Sequence, residues 1–217
     1  VKVGVLGTGT VGKTIATKLV ELGHEVTMGS RSAGGEALRE WVDAAGERGG
    51  GGTFADAAAA GELIFNCTAG GGSLEALSAA GAGNLAGKTL IDVANPLDFS
   101  QGMPPTLSVC NDDSLGERIQ AAFPEARVVK SLNTVNAAIM VAPEKVPGDH
   151  NIFVCGDDEN AKAEATALLE SFGWPSASVI DLGDISAARG AEMYLPLWLR
   201  LMGALGSAEF NIEVRRG

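Results

Sequence analysis

The sequence predicts an α/β fold: a doubly wound, mostly parallel sheet with helices on both faces and a smaller α/β segment towards the C-terminal end. Three observations predict it. Short runs rich in β-branched residues alternate with amphipathic stretches of helical period. A glycine turn, GTGTVGKT at 7–14, lies directly between the first strand-like run and the first helix-like run. The chain has 217 residues, 46% of them hydrophobic and 20% charged, which is enough to bury a core on each side of a sheet.

Lys2 to Leu6 reads as a strand, Val11 to Leu22 as a helix, Gly23-His24 as a turn and Glu25 to Met28 as a second strand. Together they make a βαβ unit of about 30 residues, the size of a Rossmann-type half-unit. GGGG at 49–52 is expected to be a flexible loop. Thr53-Phe54-Ala55-Asp56 has the form of a capping box opening an alanine-rich helix, and LIFNCT at 63–68 is β-rich. SLEALSAAG reads as a helix, KTLIDV (88–93) as a buried strand, and about 94–112 as a polar loop. SLGERIQAAF reads as a helix, RVVKSL (127–132) as a strand, and TVNAAIM as the start of something helical. This alternation favours a parallel sheet covered on both faces.

Beyond residue 133 the pieces are fewer and longer: a strand near Ile152 to Cys155, a helix from Asp158 to Phe172 and a short strand at SVIDL. A last helix is expected from Ser186 to Leu205, kinked at Pro196. The expected division is 1–132, a nucleotide-binding domain, and 133–217, a C-terminal segment.

A net charge of −11 argues against nucleic acid or an anionic membrane as partner. Cys67, Cys110 and Cys155 are odd in number and lack C-x-x-C spacing, so neither a disulfide framework nor a metal site is expected. The apolar stretch MYLPLWLRLMGALG (193–206) is interrupted by Arg200 and is shorter than the roughly 20 residues of a bilayer span. The chain opens on VKVGVLG with no basic leader, and the expectation is a cytoplasmic protein.

The glycine turn satisfies two phosphate-binding patterns. Gly7, Gly9 and Gly12 fit the dinucleotide fingerprint, with Thr8, Thr10 and Val11 between them; Gly7, Gly12, Lys13 and Thr14 fit a nucleoside-triphosphate loop, for which Asp92 could hold the metal. Gly9 is needed only by the first pattern, and the quick return to a second strand through GHEV is the order of a dinucleotide unit. At the end of that second strand stand Gly29, Ser30 and Arg31, where an NAD enzyme would carry a carboxylate for the ribose hydroxyls. A hydroxyl and a guanidinium suit a 2′-phosphate instead, so NADP(H) is the expected cofactor.

Ligands of such sheets sit beyond the carboxyl ends of the strands. Three ends carry suggestive residues: Thr68-Ala69 and the glycines behind them, Asn95-Pro96, and Asn133-Thr134. Lys130 and Asn133 also match the K-x-x-N spacing of β-hydroxyacid dehydrogenases, but there the lysine is carried on a helix, whereas Lys130 lies in a β-rich run, where a snorkelling side chain is expected. No side chain stands out as a catalyst.

With GTGTVG, GSR, NPLDF, VVKSLNTVNAA and ARGAEMYLPLWLRLMGAL in view, the chain resembles the NADPH-dependent reductases of the deazaflavin coenzyme F420 and the related oxidoreductase domain of six-transmembrane metalloreductases. The resemblance implies hydride transfer between nicotinamide and deazaflavin. It implies that Thr8 to Val11 and Ser30-Arg31 hold phosphates, that Thr68, Ala69 and Ala137 meet the middle and nicotinamide end of the cofactor, and that Asn133 and Val135 face the acceptor. Deazaflavin reductases carry histidine where this chain has Asn133, and SLNTVNAA is as similar to the metalloreductase form, which passes hydride to a flavin. F420, a flavin or another small acceptor therefore stay open, and since no side chain stands out as a catalyst, so does a non-catalytic NADPH-binding sensor.

The last helix is apolar on nearly all sides, from Met193 and Tyr194 to Met202 and Leu205, so it must be buried in its own core or against a partner. The expectation is a homodimer, with the turn from Met193 to Pro196 lining the acceptor pocket.

Overall fold

The computed structural model describes residues 1–217. Its strands are β1 (Lys2–Leu6), β2 (Glu25–Ser30), β3 (Gly49–Thr53), β4 (Leu63–Asn66), β5 (Thr89–Asp92), β6 (Leu97–Asp98), β7 (Thr106–Leu107), β8 (Arg127–Ser131), β9 (Ile152–Cys155) and β10 (Val179–Asp181). Its helices are α1 (Thr10–Glu21), α2 (Glu36–Ala45), α3 (Phe54–Ala60), α4 (Ser73–Ala80), α5 (Ala82–Leu85), α6 (Leu115–Ala122), α7 (Ala137–Met140), α8 (Glu159–Ser171), α9 (Ala188–Met193) and α10 (Leu195–Leu205). No helix is long and apolar enough to cross a membrane.

Eight strands form one sheet in the order β10-β9-β8-β5-β4-β1-β2-β3. All neighbours are parallel except β8 and β9, which run antiparallel with Lys130 opposite Cys155. The order from β3 to β8 is that of a Rossmann fold, and the chain reverses its winding between β1 and β4. The segment after residue 133 adds β9 and β10 to this same sheet. One face is packed by Ile15, Leu19 and Trp41 from α1 and α2 and by Leu169 from α8; the other by Ala57, Leu77 and Ile119 from α3, α4 and α6. Central strands are buried on both faces, so Phe65, Ile64, Leu90 and Val128 are fully enclosed, as parallel sheets require.

Local signals set many boundaries. Thr53 and Asp56 form a reciprocal capping box at α3, as their spacing predicts. Asp158 caps α8 through the Ala161 N–H, and Asn136 caps α7 through the Ala138 N–H.

Three expectations are corrected. The four glycines expected to be a flexible loop form most of β3, paired in parallel with β2 from Val26 opposite Gly49 to Ser30 opposite Thr53. Sheet bonds are made by the main chain, and helices pack tightly here: a Cβ at Gly49 would lie 2.2 Å from Ala45 Cβ, and one at Gly51 2.8 Å from Val42 Cγ2. The single last helix is two, parted at Tyr194. Pro196 stands in the first turn of α10, where a missing N–H costs least, rather than inside a continuous helix. Lys130 does not snorkel: its side chain is fully buried between Asp92 and Glu192, with Nζ 2.8 Å from Asp92 Oδ2 and 2.8 Å from Glu192 Oε1.

Removing the cation would leave two buried carboxylates facing each other. Lys130→Met is expected to cost about 3–5 kcal/mol of stability, measured as a lower urea midpoint with an unchanged slope.

Candidate functional site

The reversal of winding between β1 and β4 opens a crevice at the carboxyl ends of β1, β2, β4, β5 and β8. Its first wall is the glycine turn. Gly7 has φ +121°, and its N–H donates to Gly29 O at 2.9 Å, tying the turn to the end of β2. A Cβ at Gly12 would lie 2.1 Å from Gly7 O, so only glycine lets α1 start this close to the turn. Around Gly9 a Cβ would meet nothing within 4 Å. Gly9 caps α1 with no side chain accepting from the first-turn N–H groups, and no acid lies in that turn. Free N–H groups, a positive helix end and open space fit the diphosphate of a dinucleotide.

Two contiguous cavities fill the crevice. One, of about 360 Å³, is lined by Gly7, Thr8, Gly9, Arg31, Phe54 and Glu75, Ala76 and Ala79 of α4. The other, of about 260 Å³, is mostly apolar and is lined by Val11, Asn95, Asn133, Val135 and Ala137, with Leu97, Phe99, Met140, Leu195 and Trp198. Cys67, Thr68 and Ala69 belong to both linings. The glycine turn, Arg31, the Thr68 loop, Asn95, Asn133, Val135 and Ala137 are thus brought to one continuous cleft.

Other residues singled out in the sequence sit at its margins. Thr10 opens α1 and is exposed, and Gly12 is buried beneath the turn. Ser30 closes β2, its hydroxyl donating to Ser32 O at 2.6 Å. Pro96 is buried, with its carbonyl accepting from the Ser108 N–H at 2.8 Å. Met193 and Pro196 are exposed and outside the cavity lining; Leu195 from the same turn lines it, joined by Trp198. Leu195 lies in the turn expected at the pocket; Trp198, three residues further along the same helix, and Leu97 and Phe99, two apart beyond β5, are lining residues the sequence reading missed. Helical and extended spacing offered that signal once the strand end was located.

Asn95 and Asn133 face each other. Asn133 Nδ2 donates to Asn95 Oδ1 at 2.9 Å and to Ala191 O at 3.1 Å, while Asn95 Nδ2 donates to Asn133 O at 2.9 Å. Both N–H groups of the Asn133 amide are engaged, so this pair joins the ends of β5 and β8 to α9.

Cys67 is the one lining residue of the apolar cavity with a titratable side chain, and burial, aided by the Asp92 charge, pushes its thiol far above the ordinary range. It stays protonated and offers no acid or base near neutral pH. The arrangement suits two flat groups held face to face with water excluded, without a proton-transferring side chain.

The geometry also decides between the two phosphate patterns. Lys13 Nζ lies 3.5 Å from Glu40 Oε2 on α2, and Asp92 is sealed from solvent against Lys130. Neither is placed for a triphosphate and its metal.

Residues 2–96 match the family model described as NADP oxidoreductase coenzyme F420-dependent. A crystal structure from Arthrobacter sp. FB24, provisionally named an F420-dependent NADP-reductase, is 55% identical, with a TM-score of 0.93 over 99% of each chain. The chain belongs to the F420-dependent NADP oxidoreductase family. Its enzymes are NADP-dependent oxidoreductases, and the fold is theirs. Among curated proteins, the metalloreductase STEAP3 of Rattus norvegicus is 30% identical over 207 residues, covering 91% of this chain and 38% of its own length. The chain thus spans little more than a third of the curated relatives it matches. A reductive aminase from Aspergillus terreus, solved with NADPH and ethyl levulinate, shares the fold at 22% identity, with a TM-score of 0.65 over 94% of this chain and 62% of its own.

Proposed function

We propose that this chain transfers a hydride between NADP(H) and the deazaflavin coenzyme F420. The observation that carries the reading is the single crevice: an uncapped helix N-terminus and Arg31 at one end, and an apolar slot walled by Phe99 and Trp198 at the other. The N–H groups of Thr10 to Gly12 bind the diphosphate, and Ser30 and Arg31 the 2′-phosphate. Thr68 and Ala69 lie along the middle of the cofactor, and Ala137 lies at its nicotinamide end. Asn95 and Pro96 stiffen the adjoining loop. The nicotinamide, when bound, supplies or takes the hydride at C4. The chain orients the two rings and excludes water from between them. Val135, Leu195 and Trp198 provide the apolar wall against the acceptor, and Asn133, through its bond to Ala191, fixes that wall to β8.

A flavin is the second acceptor to weigh, favoured by Asn133 standing where deazaflavin reductases carry histidine. NADPH oxidation by the purified protein is expected with F420 and to be absent with NADH. Turnover with free flavin but none with F420 would move the assignment to a flavin reductase.

Arg31→Ala is expected to raise the NADPH dissociation constant about tenfold or more, from the loss of a charged hydrogen bond, and to leave NADH nearly unaffected. Equal losses would remove Arg31 from the 2′-phosphate site.

The chain further acts as a homodimer. Only Leu195 of α10 is buried in the single chain, although the helix is apolar on nearly every side; Leu197 and Leu205 are more than half exposed. A second copy covering α10 is the common symmetric solution. Light scattering at micromolar concentration is expected to give twice the 22.1 kDa chain mass, and Leu197→Glu with Leu205→Glu to give the monomer.

A further inference from the structure

The buried ion cluster lies just behind the crevice. Asp92, Lys130 and Glu192 line neither cavity, yet Asp92 and Lys130 are both bonded to Ala94, which lines the apolar one, and Glu192 is bonded to Lys130. Lys130 Nζ donates to Ala94 O at 2.5 Å, and the Ala94 N–H donates to Asp92 Oδ1 at 3.2 Å, so the main chain leading to Asn95 is gripped from both sides. Asn66 Nδ2 donates to the same Asp92 oxygen at 2.8 Å. Asn66 Oδ1 then accepts from the Thr68 N–H at 3.3 Å and from its hydroxyl at 2.7 Å. On the far side, Glu192 accepts the N–H groups of Leu115 at 2.8 Å and Gly116 at 3.0 Å, which seats α9 on the start of α6. Ala191, beside it, takes the Asn133 amide.

We propose that Asp92, Lys130 and Glu192 form a positioning centre for hydride transfer, setting the spacing between the Thr68 and Asn95 loops and the C-terminal helices that bring Leu195 and Trp198 to the slot. The proposal rests on the cofactor reading above. One cation reaches β5 through Asp92, the loop after β5 through Ala94, and α9 through Glu192. The Thr68 loop follows at one remove through Asn66. The cluster's direct bonds do not extend to the glycine turn on β1 or to Arg31 beyond β2. The glycine turn and Arg31 are thus held by bonds other than the cluster's, the Thr68 loop being the one segment common to both cavities, and disturbing the cluster lowers the rate far more than the affinity. A cluster that only stabilised the fold would alter neither quantity per folded molecule.

The test uses Glu192→Gln and Asp92→Asn in the full chain, each studied well below its own melting temperature, with the folded fraction counted by active-site titration. NADPH is titrated by its own fluorescence, which gives a dissociation constant and the emission of the bound nicotinamide without turnover. Single-turnover hydride transfer to F420 is then followed with NADPH and with NADPH deuterated at C4. The expected result is a dissociation constant changed far less than the rate, bound-nicotinamide emission shifted towards that of free NADPH, a transfer rate lower by about tenfold or more, and a larger deuterium isotope effect. A lower melting temperature with unchanged emission and rate in both variants would overturn the proposal. So would a dissociation constant weakened in proportion to the rate. Failure of the parent protein to bind NADPH would overturn the cofactor reading itself and the proposal with it. Binding by the parent without transfer to F420 would overturn only the choice of acceptor, and the emission shift in the variants would then uphold or overturn the positioning centre.

Discussion

A lysine ammonium with no access to water can be held in a protein only if charges of opposite sign are brought to it. Lys130 is that group, and the rest of the fold answers to it. Burial by itself lowers its proton affinity; Asp92 and Glu192 outweigh this and hold the amine above its ordinary value, charged throughout the physiological range. Its two carboxylates come from segments a hundred residues apart, so the charge is satisfied only when β5 and β8 are neighbours and α9 has docked. The cluster would carry one surplus negative charge. The positive end of α6 faces it, with two main-chain N–H groups on Glu192. At the rim of the same contact Arg189 meets Glu117 through two nitrogens, joining α9 to α6 again where water can reach.

Around this fixed point the crevice divides by chemistry. An acidic chain of net charge −11 must collect any anion locally, and the groups the crevice offers for it carry mostly partial charge: the uncapped start of α1 and the exposed main chain at Gly9. Arg31 is the one cationic side chain in the lining. The apolar half has the opposite character, and there the Asn95 and Asn133 side chains are turned onto one another. One end of the cleft is built for charge and the other for the exclusion of water.

Much of the fold is legible because its signals are local. The glycine turn, the return through Gly23-His24, the Thr53 and Asp56 box and the Asp158 cap each lie within a few residues of the structure they set. What escapes is tertiary. Helix α2 goes unread between two glycine-rich stretches, although Leu38 and Trp41 sit on its buried side and Trp41 reaches Thr17 of α1. Lys130 reads as a snorkelling residue because its neutralising partners are Asp92 and Glu192, far away in sequence. The cavity is legible where strand ends predict it, at Thr68, Asn95 and Asn133. It is legible only in part where α10 folds back: the turn holding Leu195 is expected at the pocket, but the position of Trp198 follows from how α9 is seated and not from its own neighbours.

The edge strand β3 shows how misleading chemical blankness can be. Gly50 has ordinary room for a side chain, but Gly49, Gly51 and Gly52 would drive a Cβ into Ala45, Val42 or Asp56. Those three positions lie at the rim of the sheet, where substitution is usually cheap, and yet they are closed to every other amino acid unless α2 or α3 gives way. Tolerance to mutation is thereby inverted along this stretch. The tetrapeptide that looks most like filler is held to a single residue type at three of its four places, and drift at that rim would loosen the helix behind Arg31 long before it touched the crevice.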